Sequence, residues 1–211
     1  MNKLFPLVFS FLLATNNCVV DNSEYKKTQE LEGVIRKYEY SNVSKQGLWT
    51  DISLGVWNHF NGNFAISDSF LNQDLSSIEK YGSNKFVGTK AIDYYILGLN
   101  SIAKRDFRAS FENIKKAERE FERIGYKNGI ARCYHAKALN YKAQRHYYFA
   151  IEYLSEALKI AKKSYSEKKH VGTRGLINEI RKEIGNVLEI TGGEFEGKNS
   201  YEWWTENFHE Q

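Results

Sequence analysis

Apolar residues recur every three or four positions along most of the chain, which is the spacing of an amphipathic helix and not of a strand. Polar or glycine-containing breaks, such as Gly62-Asn63, Arg105-Asp106 and Gly125, interrupt this pattern at short intervals. The stripes predict helices over 29–40, 46–61, 64–80, 90–104, 107–124, 129–144, 147–165, 172–190 and 198–209. Because the breaks are short, consecutive helices should pair as antiparallel hairpins, with 29–40 covering one end of the stack.

The last two helices allow a choice of boundary. The long helix could break at Gly185-Asn186 or at Thr191-Gly192-Gly193. The apolar stripe runs through Gly185 without a change of phase, so we expect the break at the later glycine pair.

Neighbouring positions lie about 100° apart on a helix, so Trp203 and Trp204 should not both face inward. We expect one to cap the helical stack and the other to be exposed.

Three stretches of the chain share one helix-turn-helix pattern of small and large residues. The glycine of the first copy precedes that of the second by 43 residues, and the alanine of the third follows 40 later. Small residues stand where paired helices would approach closely, at Gly55, Gly98 and Ala138, with large residues expected beside them at Phe64, Phe107 and Tyr147. The copies comprise Leu54, Gly55, Phe64, Ser67 and Leu71; Tyr94, Leu97, Gly98, Asp106, Phe107, Ser110, Ile114 and Ala117; and Tyr134, Lys137, Ala138, Tyr141, Tyr147, Ala150, Leu154 and Ala157.

Over about residues 48–190, these three copies make the chain resemble the tetratricopeptide repeat family, in the longer variant of about 40 residues found in bacterial sensor and regulatory proteins. Lys137 and Asp74 stand where that family usually has leucine and alanine, and the proline that ends each repeat is missing. The resemblance implies an all-α, right-handed superhelical solenoid of antiparallel helical hairpins, with repeats at about 48–86, 91–125 and 131–165 and a degenerate one at 171–211. An unrelated helical bundle is the alternative.

Proteins of this family mostly bind other proteins in a concave groove lined by the first helix of each hairpin. The resemblance places in that groove Trp49, Ile52, Val56, His59, Ile92, Tyr95, Leu99, Ile102, Arg132, His135, Leu139 and Lys142. Such a groove would be apolar and aromatic in its first half and basic further on, which suits an acidic or amphipathic peptide. Core packing is the alternative role for Tyr95 and Leu99, and because they occupy the places of the family's carboxylate clamp, we do not expect that clamp.

Composition limits the function classes. The hydrophobic fraction of 42% and the aromatic fraction of 15% argue against disorder, and the net charge of +4 is no signature of nucleic-acid binding. The five histidines are scattered and no catalytic or zinc-binding motif occurs, so we expect a non-enzymatic protein with neither cofactor nor metal. The basic stretch from Lys159 to Lys182 is interpreted as a solvated face, with contact to anionic lipid headgroups as the alternative.

The N-terminal sequence indicates export. Residues 1–17 carry Lys3 and then an apolar run too short to span a bilayer, which is typical of a signal peptide, and 18–28 form a polar tether before the helical domain of 29–211. Cys18 follows the run as in bacterial lipoproteins and is a candidate for lipidation; cleavage with release, or an incidental cysteine, are the alternatives. We expect a periplasmic or outer-membrane lipoprotein, or else a secreted protein. Cys133, on an apolar helix face, is interpreted as a buried free thiol.

These observations predict an adaptor or scaffold in the bacterial cell envelope, which binds a protein or peptide partner in its groove. The alternative is a sensor of a peptide or hydrophobic ligand, with a closed aromatic pocket formed by Trp49, Trp57, Tyr94 and Tyr95. The oligomeric state stays open, because poorly capped solenoid ends self-associate.

Overall fold

The computed structural model describes residues 45–82, 84 and 86–208, and within them the side chains of 51–80, 82, 84 and 86–207. In that part of the chain the fold is all-α, and strand pairing is limited to one isolated bridge between Phe195 and Lys198. The helices are α1 (Lys45–Phe60), α2 (Phe64–Tyr81), α3 (Val87–Ala103), α4 (Phe107–Arg123), α5 (Lys127–Ala143), α6 (Tyr147–Glu167), α7 (Val171–Thr191) and α8 (Ser200–Phe208). The expected signal peptide, tether, Cys18 and first helix over 29–40 lie outside the described residues.

The helices pack in the order in which they occur along the chain. Contacts are most extensive within the hairpins α1/α2, α3/α4 and α5/α6, and each hairpin also packs on the next through α2/α3, α4/α5 and α6/α7. Each odd-numbered helix from α1 to α5 additionally touches the next odd-numbered one. Within the described residues, no pair of even-numbered helices makes a comparable contact. The odd-numbered helices therefore lie closer together than the even-numbered ones.

Glycines lie at the closest approach within the first two hairpins, as the repeat predicts. A Cβ added to Gly55 would lie 2.5 Å from Cδ2 of Leu71, and one added to Gly98 would lie 2.6 Å from Cγ1 of Ile114. Leu71 and Ile114 are both fully buried. The large side chains that fill the space are therefore these aliphatic ones, and not the aromatic residues that we expected there. Phe64 and Phe107 begin α2 and α4 and are half-buried.

The turns inside the second and third hairpins have the same unusual backbone conformation. Arg105 and Arg145 have φ angles of 61° and 63°, in the left-handed region that normally favours glycine. In each turn the next residue closes the helix with a backbone hydrogen bond, from Asp106 N to Ser101 O at 2.8 Å and from His146 N to Tyr141 O at 2.9 Å. The equivalent turn of the first hairpin has a glycine, Gly62, with φ of 74°.

Replacing Arg105 or Arg145 by glycine is therefore expected to stabilise the protein. Glycine removes the steric strain of the left-handed conformation. This gain is larger than the cost of glycine's greater conformational entropy in the unfolded chain, so the free energy of unfolding should rise by about 0.5–1 kcal/mol per site. Urea denaturation followed by circular dichroism measures the change. Arg119→Gly, at an exposed position in the interior of α4, is the matched control and should destabilise by about 1 kcal/mol. Destabilisation by Arg105→Gly as large as that by Arg119→Gly would contradict the explanation.

The C-terminal part of the fold is closed by two tryptophans. As expected, α7 ends at Thr191, and Gly192 follows in the left-handed conformation with φ of 63°. Trp203 is buried, packs edge-on against Phe195 with ring centroids 5.2 Å apart, and donates from Nε1 to Arg181 O at 3.0 Å.

The expectation that the second tryptophan would be exposed is wrong. Trp204 is half-buried, and a Cβ added to Gly185 of α7 would lie 2.6 Å from its ring atoms. The missing side chain at Gly185 leaves room for this ring on the surface of α7, so both tryptophans cover α7 although they point in different directions. Gly185, where the sequence allowed a helix break, therefore lies inside α7 and makes room for an aromatic ring.

Candidate binding face of the odd-numbered helices

The residues that the sequence places in a groove all lie on α1, α3 and α5. We call the surface formed by these helices together with α7 the odd-helix face. Along this face, each pair of neighbouring odd helices is joined by polar side chains. These junctions involve His59, Tyr95, Arg132 and Lys142, which are four of the expected groove residues.

The junction of α1 and α3 is centred on Asn100, a fully buried asparagine. Its Nδ2 donates to Ser67 Oγ at 2.8 Å and to Asp68 Oδ1 at 2.7 Å, and its Oδ1 lies 2.6 Å from His59 Nδ1. Because the amide nitrogen already donates to two oxygens, Oδ1 is the acceptor and His59 Nδ1 must carry a hydrogen. One side chain therefore connects α1, α2 and α3.

The junction of α3 and α5 brings together Tyr95 and Arg132, both of which are buried. Burial raises the pKa of Tyr95 to about 12, and the charge and hydrogen bond of Arg132 act in the opposite direction. Glu179 of α7 is close enough for its charge to raise the same pKa. His135, one turn after Arg132 on α5, is also buried. The Tyr95 hydroxyl is therefore uncharged across the physiological pH range.

The junction of α5 and α7 is an ion pair. Lys142 Nζ lies 2.5 Å from Glu183 Oε2, with the two side chains 28% and 22% exposed. Together with Glu179, whose charge acts on Tyr95, this pair shows that α7 supplies acidic residues to the half of the face that we expected to be basic. That expectation considered only α1, α3 and α5, on which the repeated sequence pattern lies. The structure gives this half a mixed charge.

The apolar side chains of the expected groove differ in how far they are buried. Ile52, Val56 and Ile92 are buried in the core between the helices, and Tyr95 packs with them. Leu99 and Ile102 are half-buried against this core, and Leu139 is half-buried on α5. The side chain of Trp49 lies outside the described residues. Half-buried Leu99, Ile102 and Leu139 are therefore the apolar members of the expected groove, among the described side chains, that a partner could reach.

Sequence reasoning missed two buried asparagines that form hydrogen bonds between helices. Asn100 and Asn140 lie 40 residues apart and directly follow Leu99 and Leu139, so the repeat itself contained the signal. Asn140 is also buried; its Nδ2 donates to Phe107 O at 2.9 Å, and its Oδ1 accepts from Gln144 Nε2 at 2.6 Å. A polar residue repeated inside an otherwise apolar stripe indicates a hydrogen bond between helices.

A second charged cluster lies across α4, α5 and α6. Lys137 Nζ lies 2.6 Å from Glu118 Oε2, and the two side chains are only 8% and 12% exposed. The same ammonium lies 4.7 Å from the ring centroid of Tyr134 and 5.7 Å from that of Tyr153. Burial, followed by neighbouring carboxylates and a hydrogen bond to Glu118, raises the pKa of Tyr134. Lys137 is therefore paired with a carboxylate and surrounded by aromatic rings.

No group of three or more histidine, cysteine, aspartate or glutamate side chains in the described part of the chain is arranged to hold a metal ion. Cys133 is free and buried, as expected, and burial raises the pKa of its thiol. None of the helices described has both the length and the apolar character needed to cross a membrane.

Comparison of the chain with models of known protein families, with curated proteins and with solved structures finds no match. The class of protein is therefore defined by the fold alone, as an all-α chain in which successive helices pack on one another. The tetratricopeptide resemblance depends on the repeated residues themselves.

Proposed function

We propose that this protein is a non-enzymatic binding module of the tetratricopeptide type, a right-handed superhelical solenoid whose odd-helix face binds a peptide or a partner protein. The observation that supports this most is the unequal packing of the two sets of helices. Odd-numbered helices touch their next odd-numbered neighbours, whereas no even-numbered pair makes a comparable contact within the described residues. A stack that is tighter on one side curves towards that side, so the odd-helix face would be concave.

The side chains on this face favour an amphipathic partner. Leu99, Ile102 and Leu139 offer apolar contacts that are half-open to solvent. The Lys142–Glu183 ion pair lies beside them and offers both a donor and an acceptor. A peptide with spaced apolar residues and mixed polar ones fits this surface better than a uniformly acidic one.

We further propose that the protein acts as an adaptor in the bacterial cell envelope, as the N-terminal sequence and Cys18 indicate. The alternative of a closed aromatic pocket receives no support from the tyrosines that would form it. Tyr95 lies beside Arg132, whereas the ring of the adjacent Tyr94 lies 5.2 Å from Lys116 Nζ of α4. These two rings belong to different sides of α3.

Selection of a random peptide library on the purified full-length protein tests the binding function. Selected peptides should bind the double variant Leu99→Gln/Leu139→Gln about tenfold or more weakly than the wild type, because two apolar contacts are lost while helix propensity is kept. Isothermal titration calorimetry measures the dissociation constants.

The matched control is Ile66→Gln, which changes an exposed apolar residue of α2 in the same way. This variant should bind the selected peptides as the wild type does, and circular dichroism should show equal helix content in all three proteins. Peptides that bind the Leu99→Gln/Leu139→Gln protein undiminished, or that lose affinity for Ile66→Gln instead, would show that the odd-helix face is not the binding surface.

A further inference from the structure

A continuous strip of aromatic side chains crosses α4, α5 and α6. Neighbouring rings of the strip are in contact, with centroid distances of 5.9 Å for Tyr134–Tyr153, 5.4 Å for Tyr153–Tyr141, 5.3 Å for Tyr141–Phe149 and 5.7 Å for Phe149–Tyr148. Phe111 of α4 joins it at 6.3 Å from Tyr141. We call the set of Phe111, Tyr134, Tyr141, Tyr148, Phe149 and Tyr153 the aromatic strip.

The aromatic strip and the odd-helix face lie on opposite sides of α5. Tyr134, Lys137 and Tyr141 follow one another at helical spacing and face α4 and α6. The helical period of 3.6 residues places Leu139 roughly half a turn, and Lys142 roughly a third of a turn, from the middle of this set. A ligand on the strip would therefore use a surface separate from the proposed peptide-binding face.

One end of the strip already holds a cation. The Lys137 ammonium lies within 6 Å of the ring centroids of Phe111, Tyr134 and Tyr153, and its charge is paired with Glu118. Aromatic faces attract ammonium and guanidinium groups through the ring quadrupole, most strongly where water is partly excluded. The strip therefore accommodates an ammonium group where a carboxylate lies beside its rings.

The other end of the strip is exposed and has the same components, aromatic rings and a nearby carboxylate. Tyr148 is 73% exposed and Phe149 is 47% exposed, which is unusual for adjacent aromatic residues on a helix. A hydrogen bond to Glu152 raises the pKa of Tyr148, so a carboxylate lies at the edge of this ring. Glu156, one turn further along α6, is also exposed and is paired with Lys159 at 3.5 Å.

From this geometry we infer that the open end of the aromatic strip, formed by Tyr148, Phe149 and Glu152, docks an arginine- or lysine-bearing segment of a partner protein. The cation would lie over the exposed rings and against the Glu152 carboxylate, as Lys137 lies among its rings against Glu118. The charge of the carboxylates and the exposed π faces select a basic segment over an acidic or uncharged one.

Fluorescence anisotropy with a dye-labelled glycine–serine peptide that carries several arginines tests this inference on the full-length protein. The probe should bind with an affinity that falls as salt is added, and the same peptide with citrulline in place of arginine should not bind. The double variant Tyr148→Ala/Phe149→Ala should bind the arginine peptide about five- to tenfold more weakly. Glu152→Gln should also weaken binding and should reduce its dependence on salt.

The matched control is Ile66→Ala. Ile66 is exposed, and it directly precedes Ser67 in the first copy of the repeated pattern, as Phe149 precedes Ala150 in the third. It does not belong to the aromatic strip. This variant should bind the arginine peptide as the wild type does. Absence of binding, equal binding of the arginine and citrulline peptides, or unchanged affinity in Tyr148→Ala/Phe149→Ala would each overturn the inference. Because Leu99→Gln/Leu139→Gln leaves the strip intact, failure of one proposal is distinguishable from failure of the other.

Discussion

Replacing Glu118 by alanine is expected to lower the free energy of unfolding by about 3 kcal/mol, because it leaves the Lys137 ammonium buried without its carboxylate. The rings of Tyr134 and Tyr153 attract the ammonium, but a cation–π contact does not replace a charge-assisted hydrogen bond of 2.6 Å. Urea denaturation followed by circular dichroism gives the free energy of each variant.

The cause of this loss is tested by removing both charges. In the double variant Glu118→Ala/Lys137→Leu, an apolar leucine takes the place of the lysine and neither charge of the pair remains. We expect this protein to lie within about 1 kcal/mol of the wild type, since replacing a buried ion pair by apolar side chains is often neutral. Additive effects of the two substitutions would show that the pair is not coupled.

Replacing Asn100 by leucine is expected to cost about 3 kcal/mol, because the side chain is fully buried and makes three hydrogen bonds across helices. Ser67, which is also fully buried, loses the amide that donates to its hydroxyl oxygen. Asp68 loses one of the two groups that donate to its carboxylate. The bonds that are lost join α1 and α2 to α3, so the first hairpin should open more readily than the rest. Native-state hydrogen exchange should show faster exchange across 51–80 than across 127–167 in this variant.

Asn140→Leu is the matched control, at the equivalent position of the third hairpin. Asn140 bonds one backbone carbonyl and the neighbouring Gln144, so its loss should cost about half as much and should not affect the first hairpin. Equal costs for Asn100→Leu and Asn140→Leu, or unchanged exchange across 51–80, would mean that Asn100 does not hold the hairpins together.

The helices were predictable from the sequence because the apolar stripes and their breaks are local signals. The boundary at Gly192 followed from the phase of the stripe through Gly185, and the structure confirms it. The small residues Gly55 and Gly98 also lie where the repeat places them, at the closest approach of two helices. These features depend on neighbours in sequence or on the repeat, so a single chain is enough to find them.

The details of the candidate face were less predictable, because they depend on contacts between hairpins. Lys142 looked like an open cation until the structure placed Glu183 beside it, 41 positions later in the chain. The exposure of Trp204 was misjudged for a related reason, since nothing local indicates that Gly185 makes room for its ring. The aromatic strip escaped notice because its members come from three helices whose relative rotation only the fold defines.

The packing of each helix on its immediate neighbours also has a kinetic consequence. Contacts between segments that are close together in sequence cost little loop-closure entropy, so we expect the chain to fold rapidly. Each hairpin can form early and then add to a neighbour, without waiting for distant parts of the chain. During synthesis, each described hairpin can therefore bury apolar surface while the helices that follow it are still being made.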